Sequence, residues 1–94
     1  MKILKNKSSA RIKKRYLLIE GERKDIEETI LDYIGILGWA KASPFFLNIK
    51  EKNKIILAID RKELVNIRAS FAISNKPIRI LRVSGTLKGL DRNL

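Results

Sequence analysis

The stretch SPFFLNIKEKNKIILAI, residues 43–59, decides the fold of this chain. Its Ser43-Pro44 pair ends any preceding helix, and two apolar runs, Phe45–Ile49 and Ile55–Ile59, flank a charged turn at Glu51–Asn53. Short runs rich in Ile and Phe on either side of a turn predict the two strands of a β-hairpin. The hairpin divides the 94 residues into two halves, and each half has signals for one further strand and one helix.

The half before the hairpin predicts a strand followed by a helix. Arg15–Glu20 is a short apolar run that ends at Gly21, which is typical of a strand. Asp25, three positions before Glu28, indicates a helix start, and apolar residues then recur at helical spacing until Gly38. These apolar positions are Ile26, Ile30, Tyr33, Ile34 and Leu37.

The half after the hairpin contains a helix followed by a strand. Asp60 and Glu63 repeat the signature of a helix start, and Pro77 ends the helical pattern. The apolar positions of this helix are Leu64, Ile67, Phe71 and Ala72. Ile78–Val83 then forms the fourth predicted strand.

The element order β-α-β-β-α-β predicts an α+β sandwich of the ferredoxin-like or RRM-like kind. Right-handed crossovers give an antiparallel sheet with strand order 4-1-3-2 and two helices on one face. We divide the chain into a basic N-terminal arm (1–14), a βαββαβ domain (15–84) and a basic C-terminal tail (85–94). Because strands one and four are antiparallel neighbours, the arm and the tail leave the domain at the same edge.

The positive charge of the chain lies in its two ends. Lys and Arg number 21 and Asp and Glu number 10, which gives a net charge of +11. Residues 1–15 hold seven bases and no acid, and residues 76–94 hold five bases and one acid. The intervening residues 16–75 hold nine of each and are neutral. Blocks of like charge at the ends predict contact with a polyanion.

Composition excludes several kinds of chemistry. The chain has no Cys and no His, which removes disulfides, thiol nucleophiles, imidazole catalysis and the commonest zinc sites. The acidic pair Glu27/Glu28 lies at a helix start, where helix capping explains it. We therefore predict no catalytic residue, no metal site and no cofactor in this chain. No apolar run is long enough for a membrane span, and the composition favours a cytoplasmic protein.

Four segments carry a family resemblance. They are KKRYLL (13–18), GWAK (38–41), ILAI (56–59) with VNIRASF (65–71), and LRVSGT (81–86). In this order they resemble the archaeal and eukaryotic family of ribonuclease P protein component 2. LRVSGT, after a second helix that contains an Arg, is the most specific of the four. The resemblance covers residues 13–87 and implies a ferredoxin-like sandwich, which agrees with the element order.

The resemblance implies a non-catalytic RNA-binding subunit of ribonuclease P, the ribonucleoprotein that removes the 5′ leader from precursor tRNA. In that enzyme the RNA carries the Mg²⁺-dependent chemistry, and the protein supports the catalytic domain of the RNA. The implied partners are ribonuclease P RNA, precursor tRNA and ribonuclease P protein component 3, with self-association into a heterotetramer and no membrane. The alternative is a ribosomal or other RNA-binding protein of ferredoxin-like fold.

The predicted RNA contacts are basic and hydroxyl side chains near the two ends and one Arg of the second helix. They are Arg11, Lys13, Lys14, Arg15, Arg68, Arg82, Ser84, Thr86 and Lys88. Lys and Arg neutralise phosphates and release counterions, which supplies most affinity that is independent of sequence. For the arm, the alternative is a solubilising tail. Arg61 and Lys62 are interpreted as surface charges only.

The second face of the sheet is predicted to bind protein. Both alternating sets of strand three are apolar, whereas two helices can cover only one face. The predicted interface consists of Leu18, Ile56, Ala58, Ile78 and Ile80. Base stacking in the manner of RNA-recognition motifs is not expected, because strand three has no aromatic residue and Tyr16 alone is a poor platform.

Overall fold

The structure is a computed structural model that describes residues 13–91. Its strands are β1 (Lys14–Glu20), β2 (Phe45–Asn48), β3 (Lys54–Asp60) and β4 (Arg79–Ser84). Its helices are α1 (Arg23–Ala42), α2 (Leu64–Ile73) and α3 (Leu87–Asp91), and one 3-10 turn, Arg61–Glu63, leads into α2. The predicted order of four strands and two helices is present, and α3 is an addition. None of the helices in the described range is long and apolar enough to cross a membrane.

The four strands form one antiparallel sheet in the order β2-β3-β1-β4, which is the order 4-1-3-2 counted from the other edge. Leu17 at the centre of β1 lies opposite Leu57 of β3 and Val83 of β4. Helices α1 and α2 pack on one face of the sheet and enclose the main core. Its fully buried members are Leu17, Ile19, Ile26, Ile30, Ala42, Leu57, Ile59 and Ile67.

Helix α1 continues beyond its predicted end. Gly38 does not stop it; instead the chain kinks at Gly35, with φ 73° and ψ −177°, and resumes helical geometry as far as Ala42. Because the helix continues past Gly38, Trp39 packs against the main core. Ser43 then ends the helix in the left-handed conformation, and its N–H donates to the Trp39 carbonyl over 2.9 Å.

Strand β4 contains a bulge that the sequence pattern did not reveal. Leu18 lies opposite Arg82, but the next residue of β1, Ile19, lies opposite Ile80, so Leu81 is an extra residue. A bulge interrupts the alternation of faces, and Ile80 therefore packs against the helix-covered core, as Ile78 does. The expectation that Ile78 and Ile80 share the second face with Leu18 is wrong for this reason.

Helix α3 covers much of the second face of the sheet. Residues 85–94 were expected to be a polar tail, yet Leu90 in α3 is fully buried against Leu18 and Ile56. Ala58 on the same face is only 4% exposed. The expectation of an open apolar face at Leu18, Ile56 and Ala58 is therefore wrong, because all three are buried and the segment after β4 folds back to pack Leu90 against the first two.

Replacing Gly35 by Ala should lower the free energy of unfolding by about 1–3 kcal/mol, because the φ/ψ region of Gly35 is almost restricted to glycine. No atom lies within 4 Å of a Cβ built there, so the cost arises in the backbone alone. Urea denaturation of Gly35→Ala measures it. Gly85→Ala is the matched control, since its Cβ would lie at an ordinary 3.5 Å from Arg15 Nη1. Equal losses in the two variants would contradict the prediction.

Candidate nucleic-acid interface

Three segments of the chain meet at one end of the sheet. Antiparallel pairing places Lys14, at the start of β1, opposite Asp60 at the end of β3. It also places Tyr16 opposite Ser84, at the end of β4. The Arg61 N–H donates to the Lys13 carbonyl over 2.8 Å, which holds the turn after β3 beside β1. We call this region the basic end, and its cationic residues are Lys13, Lys14, Arg15, Arg61, Lys62 and Lys88.

The ion pairs of the described residues lie away from the basic end. Glu20 and Lys54, which face each other at the opposite end of β1 and β3, each belong to one of them. The four pairs are Arg23–Glu27 (2.9 Å), Lys54–Glu51 (2.8 Å), Lys76–Glu28 (3.1 Å) and Arg79–Glu20 (3.2 Å). Acids therefore pair with cations at the opposite end of the sheet. At the basic end the Asp60 carboxylate accepts a backbone N–H, and within residues 13–91 no ion pair involves a cation of that end.

Two lysines of these pairs, Lys54 and Lys76, have a pKa that their carboxylate partners raise. The Lys54 ammonium donates a hydrogen bond to the Glu51 carboxylate, and this bond together with the negative charge of Glu51 raises the pKa of Lys54. Glu28 raises the pKa of Lys76 in the same way. Both lysines thus stay protonated to a higher pH than a free lysine.

Lys13, Lys14 and Arg15 occupy the start of β1 at the basic end. Lys13 is exposed, whereas Lys14 and Arg15 are half-buried. Arg15 Nη1 donates to the Lys14 carbonyl over 3.0 Å, and its guanidinium lies beside Gly85. Arg15 therefore links the start of the domain to the segment that follows β4. Arg11, the remaining predicted contact of the arm, lies outside the described residues.

The predicted contacts Arg82, Ser84 and Thr86 hold helix α3 in place. The Thr86 N–H donates to Ser84 Oγ (3.1 Å), and the Gly89 N–H donates to Thr86 Oγ1 (3.0 Å). Arg82 Nε donates to the Gly89 carbonyl over 3.3 Å. A Cβ at Gly89 would overlap Ser84 Oγ, so a larger residue there would displace the hydroxyl that accepts the Thr86 N–H. Contact of these three side chains with RNA stays a prediction.

Arg68 and Lys88 occupy different places. Lys88 is exposed on α3, immediately after the turn that leaves β4, and it belongs to the basic end. Arg68 is exposed on α2 and lines a separate groove with Ile78, Arg79 and Ile80 along β4. The structure does not bring Arg68 together with the cations at the start of β1.

Arg61 and Lys62 are cations that the sequence interpretation set aside. Both are exposed in the 3-10 turn, where the Asp60 carboxylate accepts the Lys62 N–H over 3.0 Å. The predicted strand order was sufficient to place these two cations at the basic end. In the order 4-1-3-2 the end of strand three lies beside the start of strand one, so cations directly after strand three join the basic arm.

The fold and the charge distribution define a small α+β protein with a four-stranded antiparallel sheet and one strongly basic end. No protein-family profile matches the chain. Ribonuclease P protein component 2 of Thermococcus gammatolerans is 36% identical, over 87% of this chain and 82% of that protein. The protein of the same name from Thermococcus kodakarensis is 34% identical with the same coverage. That from Methanococcus maripaludis is 32% identical, over 83% of this chain and 72% of that protein.

The chain belongs to the ribonuclease P protein component 2 family. The resemblance inferred from its four sequence segments is thereby confirmed.

Replacing Arg61 and Lys62 together by Gln should weaken binding of single-stranded RNA and flatten its salt dependence. Each lost phosphate contact lowers the slope of log K against log salt by about 0.7, so two contacts lower it by about 1.4. Fluorescence anisotropy at several salt concentrations measures this slope. The control is Lys50→Gln with Lys52→Gln, which removes the same charge from two exposed side chains beside the β2–β3 turn. Equal slopes in both double variants would show that the location of the charge does not matter.

Proposed function

We propose that this chain is a non-catalytic RNA-binding subunit of ribonuclease P, which supports the catalytic domain of the ribonuclease P RNA during removal of the 5′ leader from precursor tRNA. Its basic end is the observation that carries the proposal. Six cations from three separate segments converge there, away from the ion pairs at the opposite end of the sheet. Membership of the component 2 family supports the choice of RNA.

The proposed mechanism is electrostatic. A folded RNA must bring phosphates close together, and Lys and Arg side chains reduce their repulsion while releasing bound counterions. Backbone contacts of this kind fix position and orientation without reading sequence. In this proposal the RNA performs the chemistry with its own Mg²⁺, and the protein lowers the Mg²⁺ concentration that the RNA needs to reach its active fold.

The same proposal includes ribonuclease P protein component 3 as a partner, self-association into a heterotetramer and a cytoplasmic location. Exposed apolar side chains on the helices support a protein contact there: Ile36 is 79% exposed, Leu37 78% and Val65 77%. A protein partner that covers these side chains would remove their apolar surface from water. The helix side therefore replaces the α3-covered sheet face as our proposed contact with protein. The ferredoxin-like, RRM-like classification of the sandwich belongs to this proposal as well.

Reconstitution tests the proposal directly. Ribonuclease P RNA, component 3 and the full chain are combined, and the rate of precursor-tRNA cleavage is measured across a series of Mg²⁺ concentrations. The chain should shift half-maximal activity to a lower Mg²⁺ concentration, because its cations take over part of the phosphate neutralisation. An unchanged Mg²⁺ dependence upon addition of the chain would refute the proposed function.

The charge variants described above locate the effect within the molecule. The Arg61→Gln, Lys62→Gln chain should need more Mg²⁺ than the wild-type chain, and the Lys50→Gln, Lys52→Gln control should behave as wild type. Circular dichroism and thermal unfolding establish that all three chains are folded.

A further inference from the structure

The outer edge of β4 is open, and helix α2 lies beside it. In the sheet order β2-β3-β1-β4, β4 pairs with β1, and within residues 13–91 no strand pairs with its other side. Every second residue of an edge strand directs its N–H and C=O groups away from the sheet. A groove of about 500 Å³ follows this edge, between residues 65–72 of α2 and residues 78–80 at the start of β4. We call the edge and this groove together the β4 groove.

The walls of the β4 groove are apolar. Ile78 and Ile80 pack against the main core but are only half-buried, so part of each side chain is accessible in the groove. On the α2 side, Ala72 is exposed and Val65 is 77% exposed. A segment of chain that lies along β4 would remove this apolar surface from water. It would do so with every second side chain, because side chains alternate between the two faces of a strand.

The other face of the same strand is cationic. Arg82 pairs with Leu18, which belongs to the second face, and Arg79 pairs with Glu20, two positions further along β1. Arg79 and Arg82 therefore share the second face although they are three positions apart, because Leu81 is the extra residue of the bulge. Both are exposed, and the Arg79 side chain remains 73% exposed in spite of its ion pair with Glu20.

Charge complementarity selects the occupant of the β4 groove. Residues 64–90, which include α2 and β4, contain five cations and no acid. This charge repels a second copy of the same chain from the edge and attracts acidic side chains.

The backbone edge and the apolar walls favour a peptide over RNA as the anion. A sugar–phosphate backbone lacks the N–H and C=O groups that pair with a strand edge, and it has no aliphatic side chains for the walls. An extended peptide that adds a strand to a sheet has both: its main chain pairs with the edge, and its alternate side chains fill the pockets.

We propose that the β4 groove binds an extended segment of a partner protein in which apolar residues alternate with acidic residues. The segment adds a fifth strand to the sheet at the outer edge of β4. Its apolar side chains lie between β4 and α2, against Ile80 and Ala72, and its acidic side chains lie on the other face, beside Arg79 and Arg82. The inference goes beyond the proposed function and does not depend on it, because no RNA takes part.

Two octapeptides of one composition test the proposal. A fluorescein-labelled peptide in which Val and Glu alternate should bind the full chain at least about tenfold more tightly than a peptide with all Val before all Glu. Because the two probes carry the same charge, the difference measures the fit of an alternating strand rather than attraction to the basic end. Fluorescence anisotropy at one fixed salt concentration measures both affinities. Equal affinities, or a Kd above about 1 mM for the alternating peptide, would overturn the inference.

A pair of matched variants locates the binding. Ala72→Glu places a carboxylate in the groove and should weaken binding of the alternating peptide at least about tenfold, because like charges then meet there. Ala40→Glu makes the same substitution at an exposed Ala of α1 that does not line the groove, and the affinity should stay within about twofold of wild type. Thermal unfolding establishes that both variants are folded. Equal weakening in the two variants would contradict the proposed location.

Hydrogen exchange tests strand addition in the wild-type chain, without any variant. The amides of β4 that point away from β1 have no partner strand among the described residues, so they exchange with solvent. The alternating peptide should slow the exchange of alternate amides within residues 78–84, because its carbonyl groups accept hydrogen bonds from them. Nuclear magnetic resonance of the labelled chain follows each amide. Protection at the basic end without protection in β4 would refute strand addition.

Other occupants of the groove give different results. If Ala72→Glu weakens binding of single-stranded RNA and leaves the peptide affinity unchanged, the groove is an RNA contact and the inference is wrong. It is also wrong if the variant converts a dimer of the chain into monomers in analytical ultracentrifugation while the peptide affinity stays unchanged. The Mg²⁺ dependence of precursor-tRNA cleavage tests the proposed function separately, so that either proposal can fail while the other stands.

Discussion

Strand β3 is apolar on both of its faces, and the rest of the structure is arranged to keep both faces from water. Ile55, Leu57 and Ile59 point towards α1 and α2, whereas Ile56 and Ala58 point the other way. Two helices cover only one side of a sheet. The second side needs another cover, and in this small chain the cover is Leu90 of the five-residue helix α3.

This cover links packing to the candidate RNA surface. A five-residue helix cannot persist by itself in water, so α3 depends on its tertiary contacts. Besides the packing of Leu90, they include hydrogen bonds of Arg82, Ser84 and Thr86 with one another or with Gly89. The segment that contains them leaves β4 beside the start of β1. The residues that close the second core therefore also shape the basic end.

Prediction from sequence succeeded for the order of strands and helices, which local signals determine. It failed for features that depend on how neighbouring strands pair. Each strand and each of the two long helices had its own start or stop signal, so their order and approximate bounds were predictable. The bulge at Leu81 was not predictable, because the alternation of apolar and polar residues along one strand contains no information about its register with the next strand. The same limit placed Ile80 on the wrong face. In α1, glycine at both Gly35 and Gly38 permits a break, and only the packing of Trp39 shows that the helix resumes.

The sequence by itself determined the net charge of +11, its concentration in the two ends and the family to which the chain belongs. These properties depend on composition and on residues that are close together in the chain. Only the tertiary structure decided that Arg61 joins Lys13, that Leu90 covers Leu18, and that Phe45 and Tyr16 flank Ala58. The physical reason is that antiparallel pairing brings together residues tens of positions apart, and register then selects which side chains share a face.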